Sequence, residues 1–130
     1  MSLKADNGKY LSRIYYTYGG RNNIEAAKSA PDYFTKFIAR RCRDGKLTLQ
    51  ADNGKYLSRI RRGSIDFIEA AKSSPDVFSR FQVYNQADGT VVLKADNGKY
   101  LSRIYRGRNN IEATKSRIDV YCKFKLQFQL

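Results

Sequence analysis

Apolar and polar positions alternate in short runs along this chain, and the runs recur. Leu3-Lys4-Ala5 leads into Asp6-Asn7-Gly8, and a second alternating run, Lys9-Tyr10-Leu11-Ser12-Arg13-Ile14, follows it. Residues 5–14, ADNGKYLSRI, return unchanged at 51–60 and 95–104. Two alternating runs around Asn-Gly predict a hairpin, with Asn and Gly as the two positive-φ residues of a type I′ turn. After a stretch of unequal length come IEAAKS from Ile24, IEAAKS from Ile68 and IEATKS from Ile111. Each is only about two helical turns long, lacks a cap signature and sits between strand signals, so each is read as a strand. PDYFTKF at 31–37, PDVFSRF at 75–81 and IDVYCKF at 118–124 come next. In the first two units an Asp-Gly turn follows, at Asp44-Gly45 and Asp88-Gly89, between two further strand signals.

The units therefore run over 3–48, 49–92 and 93–130, with four predicted strands apiece. A period in the 20–50 residue range signals a repeat architecture. Three four-stranded units are the arithmetic of an all-β fold, the β-trefoil, with pseudo-threefold symmetry and a single domain over 1–130. A three-bladed propeller is the formal competitor, but propellers typically need four or more blades. Unit three stops before its closing turn, so its missing strand is expected from Met1-Ser2-Leu3, with the termini side by side. Leu3, Ala5, Tyr10, Leu11, Ile24, Ala26, Phe34 and Phe37, with their counterparts, are the predicted core.

The order L-x-A-x-N-G-K-Y-L-S, then I-E-A, then an aromatic-rich strand, then D-G resembles the fascin/hisactophilin branch of the β-trefoils. It is also similar to amaranthin-type agglutinin domains, with their KYL hairpins. The first resemblance implies actin binding or bundling; the second implies sugar binding. Two departures limit the transfer. The chain has no histidine, so the pH switch of a His-rich hisactophilin does not carry over. It also has no tryptophan, so the Q-x-W site of ricin-B lectins does not either. Near-identity among units is the mark of recent triplication or of symmetrisation by design, and a symmetrised scaffold without a ligand is a third reading.

Composition narrows the chemistry. Without histidine the commonest general base and metal ligand are missing. The carboxylates recur at equivalent repeat positions, where like environments would not split their pKa values as a catalytic pair requires. No enzyme, no cofactor and no metal site is expected. Cys42 and Cys122 cannot form a disulfide framework; they read as two free thiols, with a single bridge between them as the alternative. No apolar run approaches a membrane span, and the N-terminus shows no apolar signal region. A cytoplasmic protein is expected, with non-conventional secretion as the alternative, as a monomer or weak oligomer.

The net charge is +13. Most acids lie at repeated positions, whereas the basic excess sits in unrepeated ones, around 15–23, 61–67 and 105–110 and near the first Asp-Gly turn. A positive field from variable loops suits an acidic partner such as an actin surface, a sulfated glycan, anionic lipid or nucleic acid. The stretch after the decamer is the expected site, because functional residues concentrate in loops on rigid scaffolds. Arg21, Asn22, Asn23 and Arg108, Asn109, Asn110 repeat as Arg-Asn-Asn, and asparagine offers the donor and acceptor that sugar hydroxyls need. Tyr15, Tyr16 and Tyr105 could stack on a pyranose, Arg61 and Arg62 fill the divergent second unit, and Arg13, Arg59 and Arg103 lie next to last in the decamers. Glu25, Glu69 and Glu112 either pair with Lys28, Lys72, Lys115 or a nearby arginine, or accept from a sugar. The expected function is multivalent, non-catalytic glycan binding, with binding to filamentous actin second.

Overall fold

In a computed structural model, residues 1–128 are described; Gln129 and Leu130, the last two of the third unit, lie outside them. Strand β1 (Ser2–Lys4) turns back into β2 (Tyr10–Tyr16) through the Asp-Asn-Gly loop. The turn is not the expected type I′. Ala5 N–H donates to Lys9 O at 2.9 Å and Gly8 N–H donates to Ala5 O at 3.0 Å. Gly8 has φ +77°, and Asn7 does not share its positive φ. The loop is thus a type I turn followed by one left-handed glycine, the three-residue hairpin connection. Asn7 serves through its side chain instead: Oδ1 accepts from Lys9 N–H at 3.0 Å and Nδ2 donates to Ala26 O at 3.4 Å. Asn53 and Asn97 repeat both bonds.

β2 pairs in antiparallel fashion with β3 (Arg21–Lys28). β4 (Ile38–Arg41) and β5 (Leu47–Gln50) pair across the first Asp-Gly turn. Unit two continues with β6 (Tyr56–Arg62), β7 (Ile65–Lys72) and β8 (Gln82–Asn85). Unit three holds β9 (Val91–Lys94), β10 (Tyr100–Tyr105), β11 (Asn109–Lys115) and β12 (Lys125–Gln127). The IEA segments are strands, as their sequence context predicts.

Six strands close into a barrel. β8 pairs with β9, and β12 returns to β1 with Ser2 opposite Gln127 and Lys4 opposite Lys125. Bridges from Leu47 to Phe81 and from Val91 to Phe124 join the pairs, and Phe37 N–H donates to Met1 O at 2.8 Å. The N-terminal strand does complete the third unit. The hairpins β2–β3, β6–β7 and β10–β11 cap one end, where β3, β7 and β11 pair with each other around the axis: Asn23 with Glu69, Glu25 with Asn110, Phe67 with Glu112. This is a β-trefoil.

The core is threefold. Leu3, Leu49 and Leu93, Leu11, Leu57 and Leu101, Ile24, Ile68 and Ile111, and Phe37, Phe81 and Phe124 are all buried. Each such side chain contributes about 2 kcal/mol by leaving water. One predicted core set is misplaced. Phe34, Phe78 and Tyr121 are 36–42% exposed, because their segment is not strand. Tyr33–Thr35, Val77–Ser79 and Val120–Cys122 form single 3-10 turns. Asp32 Oδ1 accepts from Phe34 N–H at 2.9 Å, and Thr35 Oγ1 accepts from Asp32 N–H at 2.8 Å. That cap folds the backbone so that Thr35 goes inward and Phe34 outward.

Candidate functional site

The decamer arginines join neighbouring units. Arg13 Nε and Nη2 donate to the two carboxylate oxygens of Asp52, both at 2.7 Å, and Nη1 donates to Asn22 Oδ1 at 2.8 Å. Arg59 grips Asp96 at 2.8 Å twice and Asp66 at 2.8 Å. Arg103 closes the ring on Asp6 at 2.8 Å twice and takes Asn109 at 2.7 Å. Such fork-to-fork bonds are among the strong ones, since both partners are charged. They raise the guanidinium pKa of all three arginines, the aspartate hydrogen bond being the largest cause. Each guanidinium also lies 5.2 Å from an aromatic centroid: Phe34, Phe78 or Tyr121. Lys28, Lys72 and Lys115 approach the same rings at 5.0, 5.1 and 5.3 Å. Those lysines pair with the capping Asp32, Asp76 and Asp119, not with the glutamates.

The hairpin tips treat three equal glutamates unequally. Glu25, Glu69 and Glu112 are 4%, 2% and 0% exposed, beneath the tips. Glu25 accepts from the Tyr16 hydroxyl. Burial, and then that bond, push the Tyr16 pKa up to about 12. Glu69 takes Arg62 through Nε at 2.6 Å and Nη2 at 2.8 Å, and Glu112 takes Arg106 at 2.8 and 3.1 Å. Arg21 lies over Phe67 at 4.7 Å with Nη2 3.6 Å from Glu69. Arg108 lies over Tyr16 at 4.2 Å.

Much of the expected loop is therefore strand. Tyr15 pairs with Asn22, and Ile14 with Asn23. The connections shrink to 17–20, 63–64 and 106–108. Strand alternation then separates the two asparagines: Asn22 and Asn109 face outward onto Arg13 and Arg103, while Asn23 and Asn110 are buried.

What stays open is the outer face of each hairpin. Tyr105 is 70% exposed, and with Tyr121, Ile104, Lys115 and Arg103 it lines a cleft of about 290 Å³. Tyr15, Phe34, Ile14, Lys28 and Arg13 occupy the equivalent positions in unit one, with Tyr15 56% exposed. Unit two replaces the tyrosine with Arg61, which donates to Asp66 at 3.1 Å. Sequence reasoning missed Phe34 and Tyr121 as surface residues. The readable signal was the Asp three residues before Thr35 and Ser79, which caps the turn that exposes the ring. Among the described residues no group of three or more Cys, Asp or Glu could hold a metal, and no helix is long and apolar enough to cross a membrane.

No protein-family model and no curated protein sequence matches the chain. Solved structures do. A designed threefold-symmetric protein, ThreeFoil, superposes with a TM-score of 0.78 at 17% identity, over 95% of this chain and 94% of that one. A mosquitocidal holotoxin superposes with a TM-score of 0.79 at 9% identity, over 95% of this chain but only 16% of the toxin. SeviL, solved bound to asialo-GM1 saccharide, gives 0.68 at 13% identity, covering 95% and 92%. At these identities the likeness is one of fold, and the fold is the β-trefoil.

Proposed function

We propose that this trefoil is a non-catalytic glycan-binding protein with more than one site per chain, on the outer faces of the first and third hairpins. The carrying observation is the cleft where exposed Tyr105 and half-exposed Tyr121 flank Lys115 and Arg103. A sugar ring has an apolar C–H face and a rim of hydroxyls. The tyrosine rings take the face; the Lys115 ammonium and the Tyr121 hydroxyl reach the rim. Tyr15 with Phe34 and Lys28 offers the same surface in unit one, and Arg61 makes the second face divergent. In this reading Arg13, Arg59, Arg103, Asn22 and Asn109 position the faces rather than touch sugar. Arg21, Asn23, Arg62, Arg108 and Asn110 shape the tips behind them. Two weak sites on one rigid body gain by avidity on a dense glycan surface. A structural neighbour solved with a bound saccharide supports the reading.

A glycan array probed with the parent and with Tyr15→Ala, Tyr105→Ala and the double variant tests it. Each single variant should lower retained signal about tenfold through lost avidity, the double should abolish it, and thermal stability should not move. A blank array, or a double variant that binds like the parent, overturns the proposal. Cosedimentation with filamentous actin that is lost at high salt would put the actin-binding reading in its place.

A further inference from the structure

The barrel wall carries three equivalent junctions, each where the closing strand of one unit meets the first hairpin of the next, and two are closed from within. Between units two and three, the Tyr84 ring packs edge-on against Tyr100 at 6.3 Å, and Lys123 pairs with Asp88 at 3.2 Å. Between units three and one, the Tyr10 hydroxyl donates to Gln127 Oε1 at 2.8 Å. Between units one and two the equivalent positions hold Arg40, Arg80 and Tyr56, with Arg43 added from the turn. They line an open cleft of about 420 Å³. None of these three guanidinium groups has an acceptor, carboxylate or ring among the described residues, and neither has the Tyr56 hydroxyl. Asp44, also on the rim, pairs with none of the three arginines; its Oδ1 accepts from Lys46 N–H at 3.0 Å.

Three guanidinium groups against the single Asp44 carboxylate leave the cleft net positive, and a bound anion relieves their repulsion. The planar guanidinium fork suits the oxygens of a tetrahedral anion, and a tyrosine hydroxyl adds a neutral donor. We infer that the junction between units one and two is an anion site for a phosphate or sulfate monoester, held by Arg40, Arg43, Arg80 and Tyr56. The site is distinct from the hairpin faces and does not depend on their binding glycans. It also accounts for a feature of the sequence: the basic excess around the first Asp-Gly turn has no counterpart in the other units.

Calorimetric titration with inorganic phosphate and inorganic sulfate, against sodium chloride at matched ionic strength, tests the site. Glucose 6-phosphate and N-acetylglucosamine 6-sulfate form the second arm and separate phosphate-ester from sulfate-ester ligands. One saturable site per chain is expected for at least one anion. Arg40→Gln and Arg80→Gln should each weaken it about tenfold, as loss of a charged hydrogen bond does, with an unchanged melting temperature because these side chains hold nothing in the fold. Tyr105→Ala should bind the anion like the parent. Cys42 lines the cleft, whereas Cys122 is fully buried. The bound anion should therefore slow alkylation of Cys42 in the parent and not in Arg40→Gln/Arg80→Gln. No saturable binding, equal effects from chloride, or a double variant that binds like the parent overturns the assignment.

Discussion

The three arginine ties and the three buried glutamates are built from residues repeated without change, yet only the ties have partners that are repeated too. Every tie is solved the same way: Arg13, Arg59 and Arg103 each reach the turn aspartate of a neighbouring unit and lie by an outward ring. Every glutamate is met by the residue two past the decamer, but that residue changes: the Tyr16 hydroxyl for Glu25, and a guanidinium fork from Arg62 or Arg106 for Glu69 and Glu112. The ties draw both partners from the repeated decamer, so one solution serves three times. The glutamates draw theirs from one position just outside the decamer, Tyr in unit one and Arg in units two and three, and either donor satisfies the buried carboxylate. A threefold scaffold thus fixes the junctions and leaves the tips free to diverge.

The largest effect should come from breaking a tie. Arg59→Ala strands Asp96, whose side chain is only 12% exposed, and leaves Asp66 with Arg61 alone as its ion-pair partner. It should lower unfolding free energy by about 3 kcal/mol, as removal of one partner from a mostly buried ion pair does. Arg13→Ala and Arg103→Ala should cost about as much, since each likewise strands one carboxylate, Asp52 at 6% and Asp6 at 11% exposure. Denaturant titration of the three variants measures the losses, and losses below about 1 kcal/mol would mean the ties do not hold the units together.

The glutamate partners should rank next and should not be equal. Arg106→Ala leaves fully buried Glu112 without its two charged bonds and should cost about 2 kcal/mol. Tyr16→Phe removes one hydroxyl donor from Glu25 and should cost about 1–2 kcal/mol. The Tyr16 contribution carries a pH signature. Its pKa is raised in the fold, so its share of stability is whole below about pH 10 and is lost as pH rises through about 12. Alkaline unfolding of Tyr16→Phe should lack that component; an unchanged profile would break the contrast between tips.

The smallest effect belongs to the capping aspartates. Hydrogen bonds from Lys28 and Lys72 hold Asp32 and Asp76 below the usual 3.8. At Asp119 burial pushes upward, but the Lys115 and Cys122 hydrogen bonds outweigh it, and the pKa is again lowered. A depressed carboxylate contributes stability above its unfolded pKa, and that stability is lost as pH falls through the folded value. Asp32→Asn keeps an acceptor at the cap but loses the charge. It should cost about 0.5 kcal/mol at neutral pH, in line with a solvent-exposed ion pair, and nothing at pH 2. Melting curves at the two pH values measure the difference.

The repeat, the strand character of IEAAKS, the leucine and phenylalanine core and the return of the N-terminus to complete unit three were legible, because all rest on local periodicity and on counting strands. Asn7 was misread, because Asn-Gly serves a type I′ turn and a three-residue loop alike, and the alternating runs around it do not fix the loop length. Phe34 was misread because alternation counts sides of a strand, and the Asp32 cap removes that stretch from the strand. The Arg-Asn-Asn stretches looked like loops because their polar residues mask the pairing that carries β3 and β11 to the tips.

By itself, then, the sequence determined that the chain is a threefold all-β protein and which apolar residues fill it, since burial of alternate positions is a local property. Tertiary structure alone decided that Arg13 belongs to Asp52, 39 residues away, and that Arg40, Arg43 and Arg80 belong to one another's cleft. Partners of a charged side chain depend on which units stand side by side after the barrel closes. Nothing in the spacing of residues within one unit encodes that.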